Sequence, residues 1–168
     1  MQFSISTIAL YATLFLTVSA LPLSSRALSS QTYNDLSISA GQAGDAEAEA
    51  LAKIGIDTSD LANVSAADLK LIKGIHDVAE DAEVEAFNPA LDAATSDDEK
   101  TAIQNGKIKN KVLKLTATVT ALQIQQAQGD DSVATKLAAE QKKLANNIAT
   151  DTKNAGQAST AISFDGTS

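Results

Sequence analysis

The stretch Gly106–Gln126, GKIKNKVLKLTATVTALQIQQ, decides the fold. Ile108, Val112, Leu115, Val119 and Leu122 recur at alternating steps of four and three, which predicts one apolar stripe along a helix. Lys107, Lys109, Lys111 and Lys114 crowd its first half. Thr116, Thr118, Thr120, Gln123 and Gln125 are expected to face away from the stripe. A bilayer span needs an unbroken apolar run of about 18 residues or more, and these lysines interrupt it. The stretch reads as the central helix of a bundle in water.

Just upstream, Ser96-Asp97-Asp98-Glu99 is a helix start, with a capping box and acids in the first turn. The helix it opens runs to about Gln128 and crosses Gly106 at a penalty of ~1 kcal/mol. Gly129-Asp130-Asp131 breaks the chain before a fourth helix that reaches about Ala155. Val133, Leu137, Leu144 and Ile148 share one seam of it. Gln141 falls on the same seam, where a polar residue often sets register. Gly156 ends the helix and leaves a polar tail, 157–168, in which Ile162 and Phe164 are candidates to fold back.

Upstream, Ser65 caps a second helix, with Asp68 three residues on. Leu69, Ile72, Ile75, Val78, Ala79, Ala82 and Ala86 form its broad apolar face. It is expected to end near Phe87, because Pro89 disfavours helix at Asn88. Asn88-Pro89 then starts a short helical turn through Ala94. A first helix spans about Ala40 to Ile54, buries Ala43, Ala46, Ala50, Leu51 and Ile54, and is stopped by Gly55. Four helices with short links predict an all-α, antiparallel up-down four-helix bundle over residues 40–156. Residues 21–39 read as an extended N-terminal arm, which Tyr33, Leu36 and Ile38 pin to the bundle. Residues 1–20, MQFSISTIALYATLFLTVSA, hold no charged side chain and end in small residues. That is the pattern of a cleaved secretory signal peptide. The expected product is extracellular, released or held at the wall, and not transmembrane after cleavage.

The chain has 168 residues, a net charge of −8 and no Cys. Exported domains of modest size usually rely on disulfides, so helix packing alone must hold this one. Leu21 to Lys100 carries 16 acidic and 5 basic residues, whereas Thr101 to the end carries 5 acidic and 8 basic. The halves attract, and Glu80–Glu85 is expected beside Lys107–Lys111. An acidic chain lacks the basic footprint of general nucleic-acid binding.

Candidate chemistry is sparse. His76 and Glu80 form an i, i+4 pair that could give a metal two ligands. A di-iron bundle needs two Glu-x-x-His motifs and two further Glu, and none is present, so no metal or other cofactor is expected. Asp77, Glu80, Asp81, Glu83 and Glu85 lack the spacing and the Gly of an EF-hand. Nucleophilic catalysis has no Cys and no Ser signature around the single His. No catalytic residue is therefore assigned, and the expectation is a protein that is not an enzyme. Lys107, Lys109, Lys111 and Lys114 are candidates to touch wall polyanions or acidic lipid heads, although neutralisation by the second helix is the simpler role. An apolar ligand slot for a fatty acid or sterol would be lined by Ile72, Ile75, Val112, Leu115, Leu144 and Ile148. Close packing of alanine-rich helices is the plainer reading of the same residues. Asn63-Val64-Ser65 is the one sequon, which makes Asn63 a glycosylation candidate.

The strings SAADLKLIKGIHDVAEDAEVEAFNP, GKIKNKVLKLT and EQKKLANNIATDTKNAGQAS, with QTYNDLSISAGQAGDAEAEA before them, resemble a family of small secreted proteins of filamentous fungi. That family carries no assigned activity or ligand, so the resemblance transfers no functional residue. In composition and architecture the chain is also similar to the fungal hydrophobic surface-binding and cell-wall galactomannoprotein group, which implies adhesion to hydrophobic surfaces and lipid binding. The leading expectation is a secreted helical protein that binds a protein or cell-wall component at the fungal surface or host interface, in the manner of an effector. The alternative is a carrier of a hydrophobic ligand in the bundle core.

Overall fold

The computed structural model describes residues 28–168. The signal peptide expected over residues 1–20 and the first part of the expected arm lie outside the described residues. The α-helices and strands follow in the order α1 (Tyr33–Leu36), β1 (Gly41–Gln42), α2 (Ala46–Ile54), α3 (Ala66–Ala82), α4 (Asn88–Ala93), α5 (Asp97–Ala127), α6 (Ala134–Lys153) and β2 (Ala158–Ser159). The four longer helices, α2, α3, α5 and α6, pack together, and α5 is the axis of the group.

Helix α5 starts where its capping box predicts. Ser96 Oγ accepts the Glu99 N–H at 3.2 Å, and the Glu99 carboxylate reaches back to the Thr95 N–H at 2.9 Å. The helix is buried on most of its circumference, because α2, α3 and α6 all lie against it. Ile103, Val112, Leu113, Ala117 and Ile124 enter the main core, while Val119 and Leu122 pack with Leu137 of α6. Thr116 and Thr120, expected to face away from the apolar stripe, are buried as well. Thr116 tolerates this because its hydroxyl donates to the Val112 carbonyl one turn back.

The helices alternate in direction. His76 of α3 faces Thr118 of α5, and Val64, just before α3, accepts from Gln128 beyond the end of α5, so the two run antiparallel. Asn154 donates to Asn105, which sets α6 antiparallel to α5. Helix α2 begins beside the end of α6, where Asp151 accepts the Ala46 N–H, and the turn Leu61–Asn63 that follows it reaches α5. The up-down bundle is thus present, with α5 inside it rather than at one of four equal corners.

Several boundaries differ from the sequence reading. The first helix begins at Ala46, not Ala40, because Gly41 and Gln42 pair as β1 with β2 of the tail. Leu51 lies on its open side and is 46% exposed, whereas Ala46, Ala50 and Ile54 are buried as expected. Pro89 does not break the chain after Phe87. A π turn at Glu83–Phe87 joins α3 directly to α4, and Asn88 stays helical. The wider turn makes room for the proline ring, which would otherwise strike the carbonyl four residues back. Gln141 is exposed, so it sets no register; only Leu137 on that seam is fully buried.

The arm and the tail are the largest revision. Residues 33–36 of the arm are helical rather than extended, with Thr32 as N-cap, and Tyr33, Leu36 and Ile38 are buried. The tail is not a loose polar end. Ala158–Ser159 pairs with Gly41–Gln42, Thr167 bridges to Thr32, and Tyr33 N–H donates to the Gly166 carbonyl. Phe164 meets Tyr33 edge to face, with ring centroids 5.9 Å apart. Between these contacts the tail crosses α5 at Gly106, where an added Cβ would stand 2.0 Å from the Thr160 carbonyl oxygen. Glycine is there so that two backbones can touch.

Candidate functional site

The polar residues of α5 divide by depth. Asn105, Lys109 and Asn110 are buried on the side facing the arm, α2 and the tail. Lys109 Nζ donates to the carbonyls of Ala40 and Gln42 at 3.1 and 3.0 Å and pairs with Glu49 at 2.7 Å. Asn110 accepts from the Tyr33 hydroxyl and donates to the Ala79 carbonyl, each at 2.8 Å. These contacts hold the arm and α2 to the bundle. Lys109 therefore has no access to a polyanion.

The other lysines meet the acidic end of α3, as the charge pattern predicts. Lys107 and Lys111 each lie 3.9 Å from Glu83, and Lys107 also donates to Asn88 at 2.6 Å. Lys114 bonds both Glu80 and Glu83, the latter at 2.6 Å. The bond from Lys114 holds the Glu80 carboxyl below its usual range, against the opposing effect of burial. Burial works against the charge on Lys114, but the bonds to Glu80 and Glu83 outweigh it and raise its pKa.

The apolar slot is filled. Ile72, Ile75 and Val112 lie in the main core at 0–2% exposure, and Leu144 and Ile148 pack against its margin. Of the six residues only Leu115 lines the groove beside α5.

A groove of about 910 Å³ lies along α5 between α3 and α6. Lys73, His76, Asp77 and Glu80 of α3 form one wall. Val133, Lys136, Glu140, Lys143 and Asn147 form the other. The floor is α5, with Leu115, Ala121 and Leu122 between Thr118 and Gln125. At ~1.5 Å per residue, the wall from Val133 to Asn147 is about 20 Å long. Five lysines and three carboxylates line the groove, on a chain whose net charge is −8. Glu80 pairs with Lys114, and Glu140 with Lys143 at 2.8 Å. Lys73 and Lys136, on opposite walls, make no ion pair among the described residues.

His76 lies in this groove. Thr118 Oγ1 is 2.8 Å from its Nδ1 and donates to the Lys114 carbonyl at 2.9 Å. The Thr118 hydroxyl thus links the imidazole of His76 to the α5 backbone. His76 and Glu80 thus share a wall but are drawn to different partners. Among the described residues no three of His, Asp and Glu converge as metal ligands would.

Asn63 is exposed at the end of the turn Leu61–Asn63, and its amide donates to Asp60 at 2.8 Å. Ser65 of the same sequon is the N-cap of α3, its hydroxyl bonded by the Asp68 N–H. The sequence reading missed the groove. Its signal was present in Lys136, Glu140 and Lys143, spaced along one face of the fourth helix, but only the folded arrangement shows that they face α3 across a groove.

A family model described as a domain of unknown function (DUF8454) matches residues 28–163. The chain belongs to that family. The match begins where the described structure begins and takes in the arm, all the helices and β2. No curated protein and no solved structure matches the chain.

Proposed function

We propose that this protein is a non-enzymatic binding protein, secreted to the fungal surface or host interface, that takes a protein or wall component on the groove between α3, α5 and α6. The observation that carries this reading is the groove itself. It is long, open along one side, and positively lined on a chain that is negative elsewhere. Such a surface suits an elongated partner with charge of the opposite sign. The secretory pattern of residues 1–20 and the resemblance to small secreted proteins support an encounter outside the cell. A carrier role is less well supported, because five of the six residues that would line its slot lie in or against the main core.

A photo-reactive side chain placed at Lys136, in the groove, or at Ala149, on the outer side of α6, tests this. Each labelled protein is presented to intact cells and isolated walls of the source organism. Adducts are expected from position 136 and not from 149. Equal labelling from both positions, or none from 136, would sink the proposal.

A further inference from the structure

We infer that the occupant of the groove is an acidic amphipathic helix of a partner protein. This rests on the groove being the binding site and adds what fills it.

Spacing is the first argument. Leu115, Thr118, Leu122 and Gln125 on the floor recur at three and four. Val133, Lys136, Glu140, Lys143 and Asn147 do the same on one wall, as do Lys73, His76 and Glu80 on the other. This is the repeat by which one helix offers holes for the side chains of another. Three such seams around one channel leave a place with the outline of a further helix of the bundle.

Dimensions agree. The channel is about 20 Å long, enough for roughly four turns. A helix of about 10 Å diameter lowered halfway into it displaces on the order of 800 Å³, close to the 910 Å³ available. The floor then sets the character of the helix. Leu115, Ala121 and Leu122 give a narrow apolar strip broken by Thr118, which matches a two-position seam rather than a broad apolar face. Lys73 and Lys136, on opposite walls, call for carboxylates on both flanks of that seam.

The same features disfavour other occupants. An acyl chain needs a continuous apolar enclosure, and this floor is interrupted and open above. A glycan chain is usually held by stacking on aromatic rings, and none among the described residues lines the groove; Tyr33, Phe87 and Phe164 pack against or within the main core.

The test is selection of binders to the full-length secreted protein from a displayed library of helical peptides. Every position of the library is randomised among charged, polar and apolar residues. Enriched peptides are expected to carry apolar residues at three-four spacing with Asp and Glu on both flanks. Nuclear magnetic resonance shifts should map their binding to Leu115, Thr118 and Leu122. The double substitution Lys73→Glu, Lys136→Glu should weaken the selected peptide at least about tenfold while leaving the unfolding midpoint near that of the parent. Peptides without acidic enrichment, binding elsewhere, or absence of any selected peptide would overturn the helix. So would saturable groove binding of oleate or of a polyuronate in place of peptide. If position 136 still crosslinks on cells in those cases, the groove stands and only its occupant is wrong; loss of both results removes the groove as well.

Discussion

Asp151, near the end of α6, accepts the backbone N–H of Ala46, the first residue of α2, at 3.0 Å. The same carboxylate oxygen accepts the Gly44 N–H at 3.0 Å. Asp45, the N-cap by position, makes no side-chain bond to the helix. The cap of α2 is therefore supplied from another helix, and the negative charge faces the positive end of the α2 dipole. Asp151→Ala removes the acceptor and leaves two N–H groups without it, so a loss of roughly 2–4 kcal/mol is expected. Asp151→Asn keeps an acceptor and loses the charge, and about 1 kcal/mol is expected. Urea unfolding of the two variants measures the difference. Equal stabilities for Ala and wild type would mean that the cap contributes nothing.

Lys109 is fully buried and joins two carbonyls of the chain before α2 to a carboxylate on it. Lys109→Met fills much the same volume but leaves those carbonyls and Glu49 without their partner. A loss of about 2 kcal/mol is expected, since the two carbonyls and the buried Glu49 oxygen lose their donor, while the rest of the Glu49 side chain, 42% exposed, stays in water. Adding Glu49→Leu should recover part of it. Hydrogen exchange should show the loss first around β1 and the start of α2. A uniform loss across α3 and α5, with α2 no worse than the others, would contradict the latch.

Gly106→Ala separates propensity from contact. In an open helix the change would gain up to ~1 kcal/mol. Here the new Cβ meets the Thr160 carbonyl, and the tail must lift. The Thr160 N–H, bonded to the Ala102 carbonyl at 2.9 Å, reports this directly. Faster exchange at Thr160 together with a net loss of stability is the expected outcome. A gain in stability with Thr160 still protected would show that the crossing is looser than the structure has it.

The helical bundle was legible in the sequence because its signals are local. The capping boxes at Ser65 and Ser96, the glycines at 55 and 129, and the apolar periodicity of α3 each act within a few residues. What was not legible depends on contacts far apart in the chain. Thr116 and Thr120 read as solvent-facing because periodicity assumes one wet side, and α5 is enclosed on most sides. Lys109 read with its neighbours as a surface charge, since nothing local distinguishes it from Lys107 or Lys111. The tail read as polar because its pairing is with residues 31–42, more than a hundred positions away. Of the groove, the sequence named most of the α3 and α5 residues, Leu115, His76 and Glu80 among them, for other reasons. The far wall, from Lys136 to Asn147, was not joined to them.

The pair Glu80–Lys114 gives stability a predictable pH dependence. The carboxyl is held below its ordinary value of 4.5, and the amine above its ordinary value of 10.5. Between those values both groups are charged in the folded and unfolded chain, so the contribution is constant. As pH falls below the ordinary carboxyl value, the unfolded chain takes up its proton first, and the stability due to Glu80 is lost through the folded pKa. As pH rises past the ordinary amine value, the unfolded chain loses its proton first, and the stability due to Lys114 is lost in turn. Glu80 is 47% exposed on its side chain, so water screens the pair and the acid step should be well under ~1 kcal/mol. Urea unfolding between about pH 3 and pH 6 should show a shallower acid decline in Glu80→Gln than in the parent. Parallel declines would mean that the groove wall titrates independently of the fold, and that Lys114 is held in place by Glu83 alone.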